Sequence, residues 1–328
     1  MPFTIALYSG NWCDLSLQEL AQKASEWGYQ ALELECSDNH LVPRRAIEEE
    51  GYISELSQLL ESFELQLAAV SCEAAGMLLT EGPTGAEQAR AAHHLLGDGT
   101  VEDIRQRAAT ELLSAAQAAQ RLGVSVLVTA SGCPMAVSCF FSVENFLPHY
   151  RDILKAWVQL WGPVLDEVAH LGVRLALLVQ PGQMVWEAFS ADLLLEALGW
   201  RSEVGLAVDI GALYWQGADP AHLLRRFADR VFHVRITDVA VHLTGHNSVL
   251  SPLPPSDPRR GWEWRSPGRG QVDFEAVLRA LHDIGYDGPL SVAWRDELME
   301  REFGAADASQ FLRRLDFPTR PRLRENLE

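Results

Sequence analysis

The chain has 328 residues, 48% hydrophobic and 22% charged, enough apolar surface for a sizeable core and too little polarity for disorder. Its 45 acidic and 27 basic residues leave a net charge of −18, a field that repels phosphate backbones and anionic lipid and argues against nucleic-acid or membrane partners. No apolar run reaches the roughly 20 residues of a spanning helix, and the five cysteines form no CxxC pair, so a cytoplasmic protein of a reducing compartment is expected.

Short apolar runs alternate with helical patterns along the chain. Phe3–Tyr8 reads as the first strand, with no basic segment ahead of a signal-like core, and a helix follows over Ser16–Trp27. Ala31–Cys36 is the second strand, with a helix over Arg44–Phe63. Leu65–Ser71 and its helix Val101–Leu122 come third, then Val124–Ala130 with the long helical stretch Glu144–Leu171. Val173–Val179 precedes a helix over Ala191–Leu198, and Val204–Asp209 precedes Pro220–Ala228. Val231–Ile236 is the seventh strand, followed by the helix Phe274–Ile284. Pro289–Trp294 is the eighth, followed by Ala308–Leu315. Gly28, Gly123, Gly172 and Gly285 stand just before strands, where glycine supplies a left-handed helix cap.

This alternation predicts a (β/α)8 TIM barrel over residues 1–316, with a Pro- and Arg-rich tail over 317–328. The apolar strands fit a parallel sheet covered on both faces. A doubly wound sheet would carry a glycine-rich fingerprint after its first strand, and Gly10 alone is not one. Connections ahead of strands are short, whereas Cys72–Thr100, Ser131–Val143 and Thr237–Val272 are long. Those long segments follow strands three, four and seven, on the face where barrels place ligand sites. Polar residues at the strand ends there include Ser9 and Asn11, Glu33 and Glu35, Ser71 and Glu73, Ser131, Gln180, Asp209, Arg235 and Asp238, and Arg295 to Glu297.

Several stretches resemble the sugar phosphate isomerase/epimerase family with xylose-isomerase-like barrels. They are Leu20–Glu35, Gly205–Pro220, Arg230–Asp238, Gly261–Phe274 and Ile284–Trp294. The resemblance implies a divalent ion, Mn or Mg, held by a Glu on strand five, an Asp on strand six, a His near strand six or seven and a Glu on strand eight. Such a hard ion takes carboxylate oxygens and polarises a sugar carbonyl while glutamates move the proton.

This chain departs from that pattern. The strand-five motif Glu-x-His-Pro reads Leu178-Val179-Gln180-Pro181, and the strand-six motif Asp-Pro-x-His reads Asp209-Ile210-Gly211-Ala212. The strand-seven motif reads His233-Val234-Arg235-Ile236-Thr237-Asp238, and the strand-eight motif Glu-[His or Trp]-Glu-Asp reads Ala293-Trp294-Arg295-Asp296. Only Asp209 remains among the implied ligands, so no metal cofactor is expected. Arg235 adds a fixed positive charge; two unit charges about 4 Å apart interact by ~4 kcal/mol at an effective dielectric near 20, which disfavours a dication beside it. Arg235 is therefore expected to replace the cation and pair with Asp209, either as a plug or, with Arg295, as donors to a carboxylate, phosphate or sugar hydroxyl.

Glu35, His40 and Glu73, with Asp209, form an alternative: a relocated metal site or an acid/base pair. Cys13, Cys36 and Cys72 fall near strand ends and read as inert buried thiols; His93-His94 reads as surface. Among ten tryptophans, Trp12, Trp262 and Trp294 lie where a sugar face could stack, and Arg259–Trp262 with Pro267–Gly270 suggests a lid. The expected function is binding of a sugar-like or anionic small molecule at the C-terminal face, with catalytic residues unassigned. The alternatives are an active isomerase with a relocated metal, and a non-catalytic partner of a metal-bearing homologue. A homodimer or a hetero-oligomer with a related barrel fits these alternatives. A DNA-repair nuclease of the same superfamily would need a His-rich zinc mouth and a less acidic chain.

Overall fold

A computed structural model describes residues 2–82, 90–133, 146–251, 253–254, 257 and 259–318. The strands β1 (Ile5–Tyr8), β2 (Ala31–Glu35), β3 (Gln66–Ser71), β4 (Val126–Thr129), β5 (Arg174–Val179), β6 (Val204–Asp209) and β7 (Val231–Ile236) pair in parallel, each with its sequence neighbour. The chain then detours through an antiparallel hairpin, β8 (Asp238–Val241) and β9 (Trp262–Arg265), before β10 (Leu290–Val292) closes the barrel between β7 and β1. The expected (β/α)8 barrel is the fold the chain forms.

Helices cover the outside, and their ends follow local chemistry. Ser16 caps α1 (Leu17–Glu26) in a reciprocal box with Glu19. Thr100 caps α5 (Val101–Arg121), and Asp219 caps the short helix Pro220–Arg226. The helix expected over Arg44–Phe63 is broken: Gly51 at φ +95° separates α2 (Pro43–Glu48) from α3 (Tyr52–Ser62), a backbone conformation that interrupts the helical ladder. The segment Cys72–Thr100, expected as loop, contains α4 (Glu73–Glu81), which starts directly off β3. The segment Thr237–Val272, expected as a loop, contains the β8–β9 hairpin. Most of the expected loop Ser131–Val143, Cys139 and the tail from residue 319 lie outside the described residues. No helix among the described residues is long and apolar enough to cross a membrane.

Period-two alternation divides each strand between two environments. Leu32 and Leu34, Leu206 and Val208, and Leu290 and Val292 face the helices and join the main core. The other face fills the barrel, and its two sides differ. Ala69, Val126, Val128, Ala176, Leu178, Ala207 and Phe232 form a small apolar plug. Tyr8, Glu33, Glu35, Ser71, His233, Arg235 and Ser291, all buried, make the other side polar.

Gly76 lets α4 lie directly on the end of β4: a Cβ there would fall 2.0 Å from the Ala130 carbonyl oxygen and 2.2 Å from Thr129 Oγ1. Gly76→Ala is expected to lower unfolding free energy by about 1–3 kcal/mol through overpacking, read as a shifted urea midpoint at unchanged slope.

Candidate functional site

The polar half of the barrel is organised around Glu33, which is fully buried on β2. One carboxylate oxygen accepts from Arg235 Nε at 3.1 Å, from Arg235 Nη2 at 2.6 Å and from the Ser71 hydroxyl. The other accepts from His233 Nε2 at 2.9 Å and from the Ser291 hydroxyl. Burial alone would raise the Glu33 carboxyl, but the charges of Arg235 and His233 and their hydrogen bonds hold it far below the usual carboxylate range. An ionised Glu33 only accepts, so His233 Nε2 bears a hydrogen toward it; His233 Nδ1 is buried without a partner among the described residues.

Arg235 is 2% exposed, and all three of its guanidinium nitrogens are engaged. Besides Glu33, it donates from Nη1 to Glu73 Oε1 at 2.5 Å and from Nη2 to Ser71 Oγ at 3.1 Å. It also lies 3.8 Å from the centre of the Tyr8 ring. The Tyr8 hydroxyl reaches Glu35 Oε2 at 2.9 Å and Glu73 Oε1 at 2.5 Å, and the Glu73 amide donates to Glu35 Oε1 at 3.2 Å. Burial, and then the neighbouring charge of Glu73, push the Glu35 carboxyl well above its ordinary range. This favours a proton on Glu35, beside Glu73, which is paired with Arg235 and whose side chain is 24% exposed.

Asp209 ends β6. One of its oxygens accepts from the Ala212 amide at 3.0 Å and from the Thr237 hydroxyl, which itself accepts from the Gly211 amide at 2.8 Å. Burial raises the Asp209 carboxyl, opposed by these hydrogen bonds and by the positive charges of Arg295 and Arg235. The expected Arg235–Asp209 ion pair is not what forms. The strand register sets the two opposite each other, but the arginine side chain turns to Glu33 and Glu73, the more negative side of the pore.

The structure brings together Glu35, Glu73 and Arg235 and leaves other candidates elsewhere. His40 is buried with Nδ1 3.8 Å from the Cys13 thiol and Nε2 unpartnered among the described residues, not beside the carboxylates. Trp262 lies in the hairpin with its ring stacked on Trp215 at 4.5 Å and 4°, while the Arg260 guanidinium lies 3.7 Å from its centre. Two groups that close cannot share one face, so both faces are taken and Trp262 offers none to a sugar. Trp294 is buried against Trp12 and donates to Ser266. Gln180 at the end of β5 is half-buried, its backbone amide bonded to the Val185 carbonyl.

Arg295 is half-buried over the Trp264 ring at 5.0 Å. Asp238 pins the hairpin by accepting from the amides of Gly268, Gly270 and Val272. Among the described residues no group of three or more His, Cys, Asp or Glu side chains could hold a metal ion. Sequence reasoning gave no role to Tyr8, His233, Ser291 or Thr237. The one legible signal was Glu33, a carboxylate inside the otherwise apolar Ala31–Leu34 run.

Glu33→Gln leaves Arg235 buried with less compensation and is expected to lower stability by about 3–5 kcal/mol in urea unfolding. Burial lowers His40 from 6.5 to about 4. The unfolded chain therefore takes up that proton first as pH falls. His40 contributes stability above pH 6.5 that is lost down to about pH 4, up to about 3 kcal/mol. His40→Asn should flatten stability across that window in paired urea titrations.

Known proteins share this architecture. A protein of Bacillus subtilis (strain 168), YfiH, described as uncharacterized, is 26% identical over 324 residues, covering 91% of this chain and 95% of the relative. An inosose dehydratase of Lacticaseibacillus casei is 33% identical over 152 residues, covering 45% of this chain and 49% of the relative. Among solved structures, the probable 3-DHS dehydratase AsbF of Bacillus anthracis superimposes with a TM-score of 0.67 at 15% identity, covering 94% of this chain and 98% of that one. The 3-keto-D-glucoside 4-epimerase YcjR of E. coli gives 0.65 at 15% identity, covering 95% and 99%. The sequence model of the xylose isomerase-like TIM barrel matches residues 21–315, and the chain belongs to that family.

Proposed function

We propose that this chain binds a sugar-like, polyhydroxylated small molecule at the C-terminal end of the barrel, in a site whose fixed positive charge is Arg235 rather than a divalent ion. The carrying observation is the burial of Arg235 between Glu33 and Glu73 with every guanidinium nitrogen hydrogen-bonded. A dication next to this guanidinium would meet repulsion of several kcal/mol at short range. The relatives support the ligand class: one is named for inosose dehydration and another for epimerising a keto-glucoside. Both names describe hydroxylated carbon skeletons bearing a carbonyl.

Within this reading Arg235 does not hold the ligand, because it is buried and each of its nitrogens already has a partner. It fixes Glu73 and, through its contact with Tyr8, the phenol that links Glu73 to Glu35. Glu73, the partly exposed member, accepts hydrogen bonds from ligand hydroxyls. Glu35 behind it stores one proton, and Tyr8 connects the two, an arrangement suited to exchanging a proton with a bound molecule. Asp209 offers its second oxygen, which makes no hydrogen bond among the described residues, as a further acceptor for a hydroxyl.

The test is metal analysis combined with ligand binding. Protein purified without chelator should contain less than about one-tenth equivalent of Mn, Mg, Zn or Fe, and EDTA should leave melting temperature and polyol binding unchanged. Arg235→Met should weaken polyol binding about tenfold or more and lower stability. A stoichiometric ion, or binding that EDTA abolishes, would overturn the reading.

A further inference from the structure

The mouth of the barrel carries a second cation that has no carboxylate partner among the described residues. Arg295 follows β10 at the position where the family's strand-eight motif has its second glutamate, so a negative group has become positive there. Its guanidinium packs over Trp264 at 5.0 Å, and its charge is felt by Asp209 across the mouth. It makes no hydrogen bond or ion pair among the described residues. Many arginines of the barrel exterior differ in this respect: Arg225 pairs with Asp283, Arg226 with Asp192, Arg269 with Asp307 and Arg301 with Asp14. In a chain of net charge −18, where acidic partners are abundant, an unpaired guanidinium at the strand ends calls for an explanation.

Arg260 belongs to the same surface. Its guanidinium lies 3.7 Å from the centre of Trp262, the Trp262 ring meets Trp264 edge-on at 5.2 Å, and Arg295 covers Trp264. Arg260 Nη1 is buried with no hydrogen-bond partner among the described residues. Two arginines thus lie over one pair of tryptophans, Arg260 with a buried donor that has no partner and Arg295 with no hydrogen bond among the described residues. Stacking fixes the plane of a guanidinium and leaves its edge N–H groups free, the geometry that receives an oxyanion through two parallel hydrogen bonds.

We infer that Arg295, seconded by Arg260, is a specificity-determining anion hook that makes the preferred ligand an acidic sugar derivative, its carboxylate or phosphate on Arg295 and its hydroxyls toward Asp209 and Glu73. The inference rests on the polyol-binding reading above and deepens it. Arg235 fixes the interior, whereas Arg295 reads the ligand. A neutral sugar would leave these donors to water, and a sugar acid would satisfy them. The carboxylate and the phosphate share the chemistry that the hook recognises, and the probes below separate them.

The test is calorimetric binding of three probes to the full chain: gluconate, glucose 6-phosphate and the neutral polyol glucitol. The unmodified chain should bind one of the two anions at least about tenfold more tightly than glucitol, and the better anion identifies the group accepted. Arg295→Gln should erase that preference while leaving glucitol affinity within about twofold. Arg295→Lys should restore part of it, and Arg260→Gln should reduce it by a smaller factor. Circular dichroism and melting curves will confirm that these half-exposed variants fold. Equal binding of glucitol and both anions, or a preference that survives Arg295→Gln, would overturn the hook and leave the polyol reading standing. Failure of all three probes at millimolar concentration would overturn both.

Discussion

The interior of this barrel depends on the contact between Glu33 and Arg235. An ionised carboxylate with no exposed surface is tolerated only when its oxygens are filled, and Glu33 receives donors from Arg235, His233, Ser71 and Ser291. Those donors come from β3, β7 and β10, so one side chain on β2 ties together strands from both sides of the barrel closure. Removal of either charge leaves the other buried and uncompensated, the circumstance in which buried ion pairs matter most. Everything else at the mouth is placed relative to that pair: Glu73 by the remaining arm of the guanidinium, Tyr8 by its face, and Glu35 by Tyr8.

A guanidinium differs from a divalent ion in more than charge. An ion binds by exchanging water for protein or substrate oxygens and keeps positions open for them. The planar fork of Arg235 is enclosed by three side chains and a ring, so an incoming oxygen finds no open approach to it. The positive charge of Arg235 at the centre of the pore is fully paired within the protein. The groups with unfilled capacity lie farther out, at Glu73, at the second oxygen of Asp209 and at Arg295. The apolar plug of Ala69, Val126, Val128, Leu178 and Phe232 fills the rest of the pore and confines the polar chemistry to one side.

The β8–β9 hairpin has an analogous logic on the surface. Asp238 gathers four backbone amides, including its neighbour Val239, and anchors the return of the chain toward the last helix-strand unit. Trp215, Trp262 and Trp264 then pack face-to-face and edge-to-face. This aromatic stack is spent on itself and on arginines rather than on a sugar ring. Arg260 lies over Trp262 and Arg295 over Trp264 on this aromatic stack.

Much of the fold was legible in the sequence, because alternation of strand and helix and glycine caps are local properties of consecutive residues. What the linear order could not decide was partnership inside the pore. Asp209 and Arg235 face each other across neighbouring strands, and pairing them is the natural one-dimensional inference. The tertiary structure sends Arg235 across the pore instead, because Glu33 and Glu73 offer two carboxylates where Asp209 offers one already held by Thr237 and a helix amide. A barrel brings every strand end within reach of every other, so the strongest electrostatic partner wins over the nearest in register. Similarly, Trp262 and Trp294 were marked as sugar platforms by position, but only three-dimensional packing shows which ring faces are already covered.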